Sequence, residues 1–163
     1  MRVLLKLGIR FSFVIYLLVL TNLILFKYIH PTQIFEHMHF FLQNEYWMNS
    51  INLVPFKTVF QYLFISDLNS NIRVDNLVGN VIGFAPFGFF LPLLFTKFSR
   101  FRNVILATFM LSLTYEVTQL VFSLGSFDVD DLILNTIGGI GGFSVFLLLQ
   151  RLFLNKNKMN LSA

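Results

Sequence analysis

Glu116 and Gln119 lie in a stretch, Val104 to Ser123, that holds no other charged residue and is long enough to cross a bilayer. An ionisable group at membrane depth is expensive, and it turns toward a bundle interior, a wet cavity or a partner, which makes it a functional candidate by default. Two neighbouring apolar stretches carry companion polar sets: Asn76 with Asn80 in one, and Asp128, Asp130 and Asp131 with Asn135 at the head of another. Carboxylates in unlike surroundings can divide general acid and base roles, and amides beside them can orient a ligand. If three segments bring these groups to one depth, the result is a polar chamber inside a membrane protein.

The segments that must position them are membrane helices. The chain of 163 residues is 56% hydrophobic, with 22 phenylalanines and only 12% charged residues. Soluble domains carry roughly 25% charged residues, so this composition excludes an ordinary soluble enzyme. Each crossing takes about 20 residues at 1.5 Å per residue, and the length suits one all-α bundle, a single domain over 1–163. Uncharged runs predict four spans, at about 8–26, 76–96, 103–123 and 132–152, joined on one side by a long first loop. The first run follows Arg2, Lys6 and Arg10 as a signal peptide would, but it ends at Phe26-Lys27-Tyr28 without small residues for cleavage, so it reads as an uncleaved span. Cysteine is absent, which excludes disulfides, thiol nucleophiles and Cys-based metal sites.

The charges give the orientation. Nine of the twelve basic residues (Arg2, Lys6, Arg10, Lys97, Arg100, Arg102, Arg151, Lys156, Lys158) fall at the N-terminus, between spans two and three, and at the C-terminus. Those places share one face, and Lys and Arg favour the cytoplasm, so both termini are expected on the cytoplasmic side of a cell membrane. All acidic residues except Glu116 fall on the opposite face. The net charge of +4 therefore reflects membrane topology and does not indicate nucleic-acid binding. With this orientation, the helical rise puts Glu116 about 10 Å below the outer end of its span, and Asn80 and Asn135 about 6 Å below theirs.

Local spacing refines the picture. Asn76, Asn80 and Gly83 share one helix face, and Gly79 with Gly83 forms a small-xxx-small pair that predicts close helix approach. Pro86 and Pro92 predict a kink in a crossing helix, with a re-entrant segment as the sharper alternative. Ser112, Glu116, Gln119 and Ser123 form a polar stripe down one helix. Asp128, Asp130 and Asp131 precede the last span, where capping of free amides explains one or two of them; together with Glu116 they also offer oxygen ligands to a hard cation, although no metal or other cofactor is expected. Gly138, Gly139, Gly141 and Gly142 predict tight packing of that helix. In the first loop, Phe56, Val59, Phe60, Leu63 and Phe64, and separately Ile34, Phe35, Met38, Phe41 and Leu42, repeat with helical phase and read as short amphipathic helices at the outer interface, anchored by Tyr46 and Trp47. His30, His37 and His39 lie there too, at spacings poor for a metal.

The runs Asn52-Leu-Val-Pro-Phe56, Asn76-Leu-Val-Gly-Asn80 leading to Pro86-Phe-Gly88, Glu116-Val-Thr-Gln119, and Phe127-Asp-Val-Asp-Asp131 with Asn135 and Gly138-Gly139 resemble the VanZ-like family, in order, over about 52–142. The resemblance implies a small bacterial plasma-membrane protein of a family whose namesake is linked to low-level resistance to teicoplanin, a lipid-tailed glycopeptide. It places the family's polar signature on Asn76, Asn80, Glu116, Gln119, Asp128, Asp131 and Asn135, and Asp130 at a more variable position. Many members carry an Arg just before the Phe-Asp pair. Here Gly125-Ser126 stands instead, which leaves Arg73 or Lys57 as the candidate counter-ions.

The expected function is binding of an envelope lipid or lipidated glycopeptide in an outer-leaflet polar pocket, contributing to teicoplanin-type resistance or envelope homeostasis. The alternative is a membrane enzyme acting on a lipid-linked or acyl substrate, with Glu116 and Asp131 as acid/base or metal-binding carboxylates; the sequence lacks a Ser/His or Cys/His pair at membrane depth. Transport is a third reading, with no inverted repeat behind it.

Overall fold

A backbone crossing hydrocarbon finds no water to bond, so long apolar runs resolve into helices that satisfy their own N–H and C=O groups. The computed structural model describes residues 2–26, 50–65 and 70–160. In chain order it contains α1 (Arg2–Leu25), β1 (Ile51–Asn52), α2 (Lys57–Phe60) continuing as a π-helical turn (Gln61–Ile65), α3 (Ser70–Leu94), a 3-10 turn (Thr96–Ser99), α4 (Phe101–Val121), β2 (Phe127–Asp128) and α5 (Val129–Asn160). Among the described residues, α1, α3, α4 and α5 have the length and apolar character of membrane spans. The chain is an all-α, multi-pass membrane bundle.

Cross-contacts show the alternation of direction. On α1 and α3, which run antiparallel, the Tyr16 hydroxyl donates to the Gly83 carbonyl at 2.8 Å, and Phe13 stacks on Phe87. On α1 and α4, which run parallel, Thr21 bonds the Tyr115 hydroxyl and Gln119 reaches the Ile24 carbonyl. One core cluster joins Phe87, Leu91, Val104 and Phe143, and a second joins Leu20, Phe84 and Tyr115.

The tightest seam is between α3 and α5. A Cβ on Gly88 would overlap the Gly139 backbone, one on Gly138 the Val81 carbonyl, and one on Gly142 the Ala85 carbonyl. Backbones in contact maximise dispersion where lipid supplies no hydrophobic drive. Among the described residues the expected Gly79–Gly83 approach does not form: none lies within 4 Å of a Cβ on Gly79, and only the Leu20 side chain approaches one on Gly83, at 3.5 Å. Neither glycine brings a second backbone close.

Several boundaries also shift. Helix α3 continues through Pro86 and Pro92 to Leu94, so the segment is not re-entrant. The carbonyl of Ile82, four residues before Pro86, loses its helical donor, and the Tyr16 bond to Gly83 steadies the adjoining turn. Helix α5 starts at Val129 instead of 132, which places Asp130 and Asp131 inside its first turn. The segment at 56–65 does not form one regular amphipathic helix. It is a four-residue helix and a π turn whose Phe56, Phe60, Leu63 and Phe64 are exposed, with the more polar Thr58 and Tyr62 facing the bundle. The second expected amphipathic segment, Ile34 to Leu42, lies outside the described residues, as do Tyr46, Trp47 and the three histidines.

The seam sets a pair of opposite outcomes. Gly142→Ala drives a methyl into the α3 backbone and should destabilise the protein by about 1–3 kcal/mol, the usual cost of overpacking. Gly141→Ala, at a position with nothing within 4 Å, should be neutral or stabilising by about 0.5–1 kcal/mol through helix propensity. Thermal unfolding in one detergent would compare them; equal shifts would mean that the seam is not close-packed.

Candidate functional site

Helix α5 begins with an aspartate because its first amides need acceptors. The Asp128 carboxylate accepts the Asp130 N–H at 2.9 Å, an N-cap bond to the second helical residue. The Asp128 side chain also accepts from Asn52 Nδ2, at 3.0 Å, and from the Thr58 hydroxyl. Its backbone N–H donates to Glu116 Oε2 at 2.9 Å. A buried acid on α4 and the head of α5 are thereby tied to the first loop.

The same loop is held by Asp130. Its Oδ1 takes the Phe56 N–H, while its Oδ2 takes the amides of Thr58 and Val59 at 2.8 and 3.1 Å. Helix α2 has no cap of its own, because Phe56 precedes it in a left-handed conformation (φ 64°, ψ 5°) without a side-chain bond. Val54, Pro55, Phe56 and Lys57 make a turn closed by the Lys57 N–H on the Val54 carbonyl, with proline second and positive φ third, the type II pattern. A two-residue parallel pairing, Ile51 with Phe127 and Asn52 with Asp128, completes the junction.

Asn80 Nδ2 donates to Asp131 Oδ1, joining α3 to α5. Asn135, 3% exposed, donates to Ser112 Oγ at 2.8 Å, and its own Oδ1 has no partner. Gln119 donates to the Ile24 carbonyl at 3.0 Å. Helix α4 ends in a Schellman turn, with Leu124 N–H on the Gln119 carbonyl, Ser123 N–H on the Leu120 carbonyl, and Ser123 itself at φ 57°.

All seven residues read from the sequence, Asn76, Asn80, Glu116, Gln119, Asp128, Asp131 and Asn135, line one cavity of about 460 Å³. Its apolar lining comes from Leu20, Leu23 and Ile24 of α1 with Phe84 of α3. Glu116, 2% exposed, belongs to its polar lining. The cavity rim includes two exposed residues, Leu23 on the outer face of α1 and Ser126 in the α4–α5 connection. The glycines 79 and 83 provide the space on the α3 side.

Sequence reasoning missed Thr58 and the part played by Asn52. Asn52 stands in the Asn-Leu-Val-Pro-Phe run, but no periodicity connects it to Asp128, and nothing in the sequence around Thr58 marks it as a carboxylate partner. Asp128 and Asp130 are met by neutral donors, and among the described residues neither pairs with Lys57, which is exposed. Among the described residues no group of three His, Cys, Asp or Glu side chains is placed to hold a metal ion.

Asp130→Ala strips three amides of a charged acceptor, and each hydrogen bond to a charged group contributes roughly 1.5–3 kcal/mol. The expected result is faster hydrogen exchange at 56–59 and earlier proteolysis after Lys57, with exchange in α3 and α5 unchanged. Unaltered exchange at 56–59 would rule out this anchoring.

The profile of the VanZ/LLP1 family matches residues 13–150. Protein VanZ of Enterococcus faecium is 32% identical over 115 residues, covering 71% of this chain and 63% of that protein. The chain therefore spans a little under two thirds of that relative's length. No solved structure matches. The family match covers most of the chain and includes all four polar segments, and the chain belongs to the VanZ/LLP1 family.

Proposed function

We propose that the protein binds the head of an envelope lipid or lipidated glycopeptide in the chamber around Glu116, and that this binding underlies protection of the teicoplanin type. The observation that carries the reading is the two-sided cavity, polar on the faces of α3, α4 and α5 and apolar along α1. Lipid-bearing molecules are amphipathic in the same sense. Among the described residues, the packing between α1 and α3 is close at Tyr16–Gly83 and at Leu20–Phe84, then opens at Gly79, where none lies within 4 Å of a Cβ. That opening is a side portal, bordered by Leu23, through which an acyl chain extends into the bilayer while its head reaches the polar lining. The volume of about 460 Å³ falls within the roughly 300–1,000 Å³ of small-ligand sites.

The orientation belongs to the same proposal. With Lys and Arg concentrated at the termini and in the α3–α4 connection, the chamber opens on the outer leaflet, where cell-wall precursors and glycopeptides meet. The absence of native cysteine makes the test direct. A single cysteine at Ser126 should react with an impermeant maleimide in intact cells, and one at Ser99 only after permeabilisation; the reverse pattern would place the chamber on the cytoplasmic side.

Glu116→Gln and Asp131→Asn keep an oxygen for the Asp128 amide and for Asn80 while removing charge. Each should weaken ligand binding about tenfold or more, on the scale of 1.5–3 kcal/mol for a bond to a charged group, and should lower teicoplanin protection at equal membrane abundance. Full protection by both variants at normal abundance would sink the proposal for these residues.

A further inference from the structure

The ligand's chemistry follows from which bonds in the chamber are already made. Asn80 Nδ2 is committed to Asp131, Gln119 Nε2 to the Ile24 carbonyl, Asn135 Nδ2 to Ser112, and the Thr58 hydroxyl to Asp128. Two of these orientations are forced. An Asn80 amide turned over would aim oxygen at a carboxylate, and a Gln119 amide turned over would aim oxygen at a carbonyl. One N–H or O–H of each of these groups is engaged by the protein; each amide keeps a second N–H, and two acceptors are left over beside them. Asn135 Oδ1 is buried without a partner. Glu116 uses Oε2 for the Asp128 amide, and its Oε1 makes no hydrogen bond among the described residues. Three carboxylates line the chamber, with no Lys, Arg or His among its described lining residues.

We infer that the chamber selects a head group that donates hydrogen bonds and carries positive charge, a primary ammonium, seated between Glu116 Oε1 and the unpartnered Asn135 oxygen. The inference rests on the lipid-pocket reading and names its ligand class. An ammonium brings three donors and a positive charge, which complement Glu116 Oε1, the Asn135 oxygen and an acidic lining without a basic side chain among the described residues. A phosphate or carboxylate head brings acceptors to acceptors and like charge to carboxylates. A quaternary ammonium brings the charge without N–H donors. The apolar α1 lining and the portal at Gly79 accept the chains of an aminolipid, whereas a soluble amine would use the polar lining alone.

Native mass spectrometry of the intact chain in detergent would decide this, with phosphatidylethanolamine, phosphatidylcholine and phosphatidylglycerol of identical acyl chains, and free ethanolamine as a fourth probe. Phosphatidylethanolamine should bind about tenfold tighter than the other two lipids, a difference of about 1.4 kcal/mol. Glu116→Gln, which keeps the Asp128 bond, should reduce that preference to about threefold or less, a residual of about 0.7 kcal/mol. Gly79→Trp fills the portal and should abolish the bound phosphatidylethanolamine; Leu23→Trp, at the exposed rim, is the second blocking variant should the first fail to fold. Free ethanolamine binding with the same Glu116 dependence would support ammonium recognition and identify a soluble amine as the source. Equal binding of phosphatidylethanolamine and phosphatidylcholine, both lost on blocking, would overturn the ammonium and leave the lipid pocket standing. A preference for phosphatidylglycerol would overturn it likewise. Binding of all lipids undisturbed by both blocking variants would overturn the pocket reading and this inference together.

Discussion

Buried carboxylates must be met by donors, and among the described residues the architecture around Glu116, Asp128 and Asp130 is the consequence of meeting them without basic side chains. Removing a charge from water costs several kcal/mol unless hydrogen bonds or an opposite charge replace the lost hydration. Here the replacement is mostly backbone. Glu116 takes the amide of Asp128; Asp128 takes that of Asp130; Asp130 takes those of Phe56, Thr58 and Val59. Every link converts an orphan amide at a helix start or turn into the partner of an acid. The strand pairing of 51–52 with 127–128 and the positive φ of Phe56 are the backbone geometry that this relay requires.

The chamber is the space left over by two unlike helix contacts. Glycines on α5 and α3 press their backbones together, which fixes Asn80 near Asp131 and sets the polar faces at one depth. Helix α1 meets α3 through larger side chains, Phe13, Tyr16 and Leu20, and stands away from it at Gly79. Small residues therefore act in two ways within one helix. At Gly88 the missing side chain admits another backbone, and at Gly79 it leaves room that none of the described residues fills.

Much of this was legible in the sequence. Hydropathy alone yields four crossings, and charge-free runs locate them within a few residues, because the bilayer imposes one length scale on every span. Helical spacing puts Asn76, Asn80 and Gly83 on one face and Glu116 with Gln119 on another, so the lining was readable once the spans were known. The relay was not. Asn52 and Thr58 meet Asp128, and Thr58 meets Asp130, from 70 or more positions away in sequence, where no period connects donor to acceptor. The glycines show the same limit, since spacing marks Gly79–Gly83 and Gly138–Gly142 as equally suited to packing, and only the neighbouring helix decides which pair is used.

The absence of an arginine before Phe127 then acquires a physical meaning. An arginine there would bring a fixed cation and five donors to the head of α5, and a chamber so furnished suits an anionic head. With Gly125-Ser126 in its place, Asp128 and Asp130 are satisfied by amides, a hydroxyl and an asparagine, which lend hydrogen bonds but no positive charge. The relay gives the acids hydrogen bonds and, among the described residues, no opposite charge. On the proposed reading, the electrostatic match to a ligand is then set by the acids that line the chamber, since Gly125 and Ser126 border it without bringing a charge.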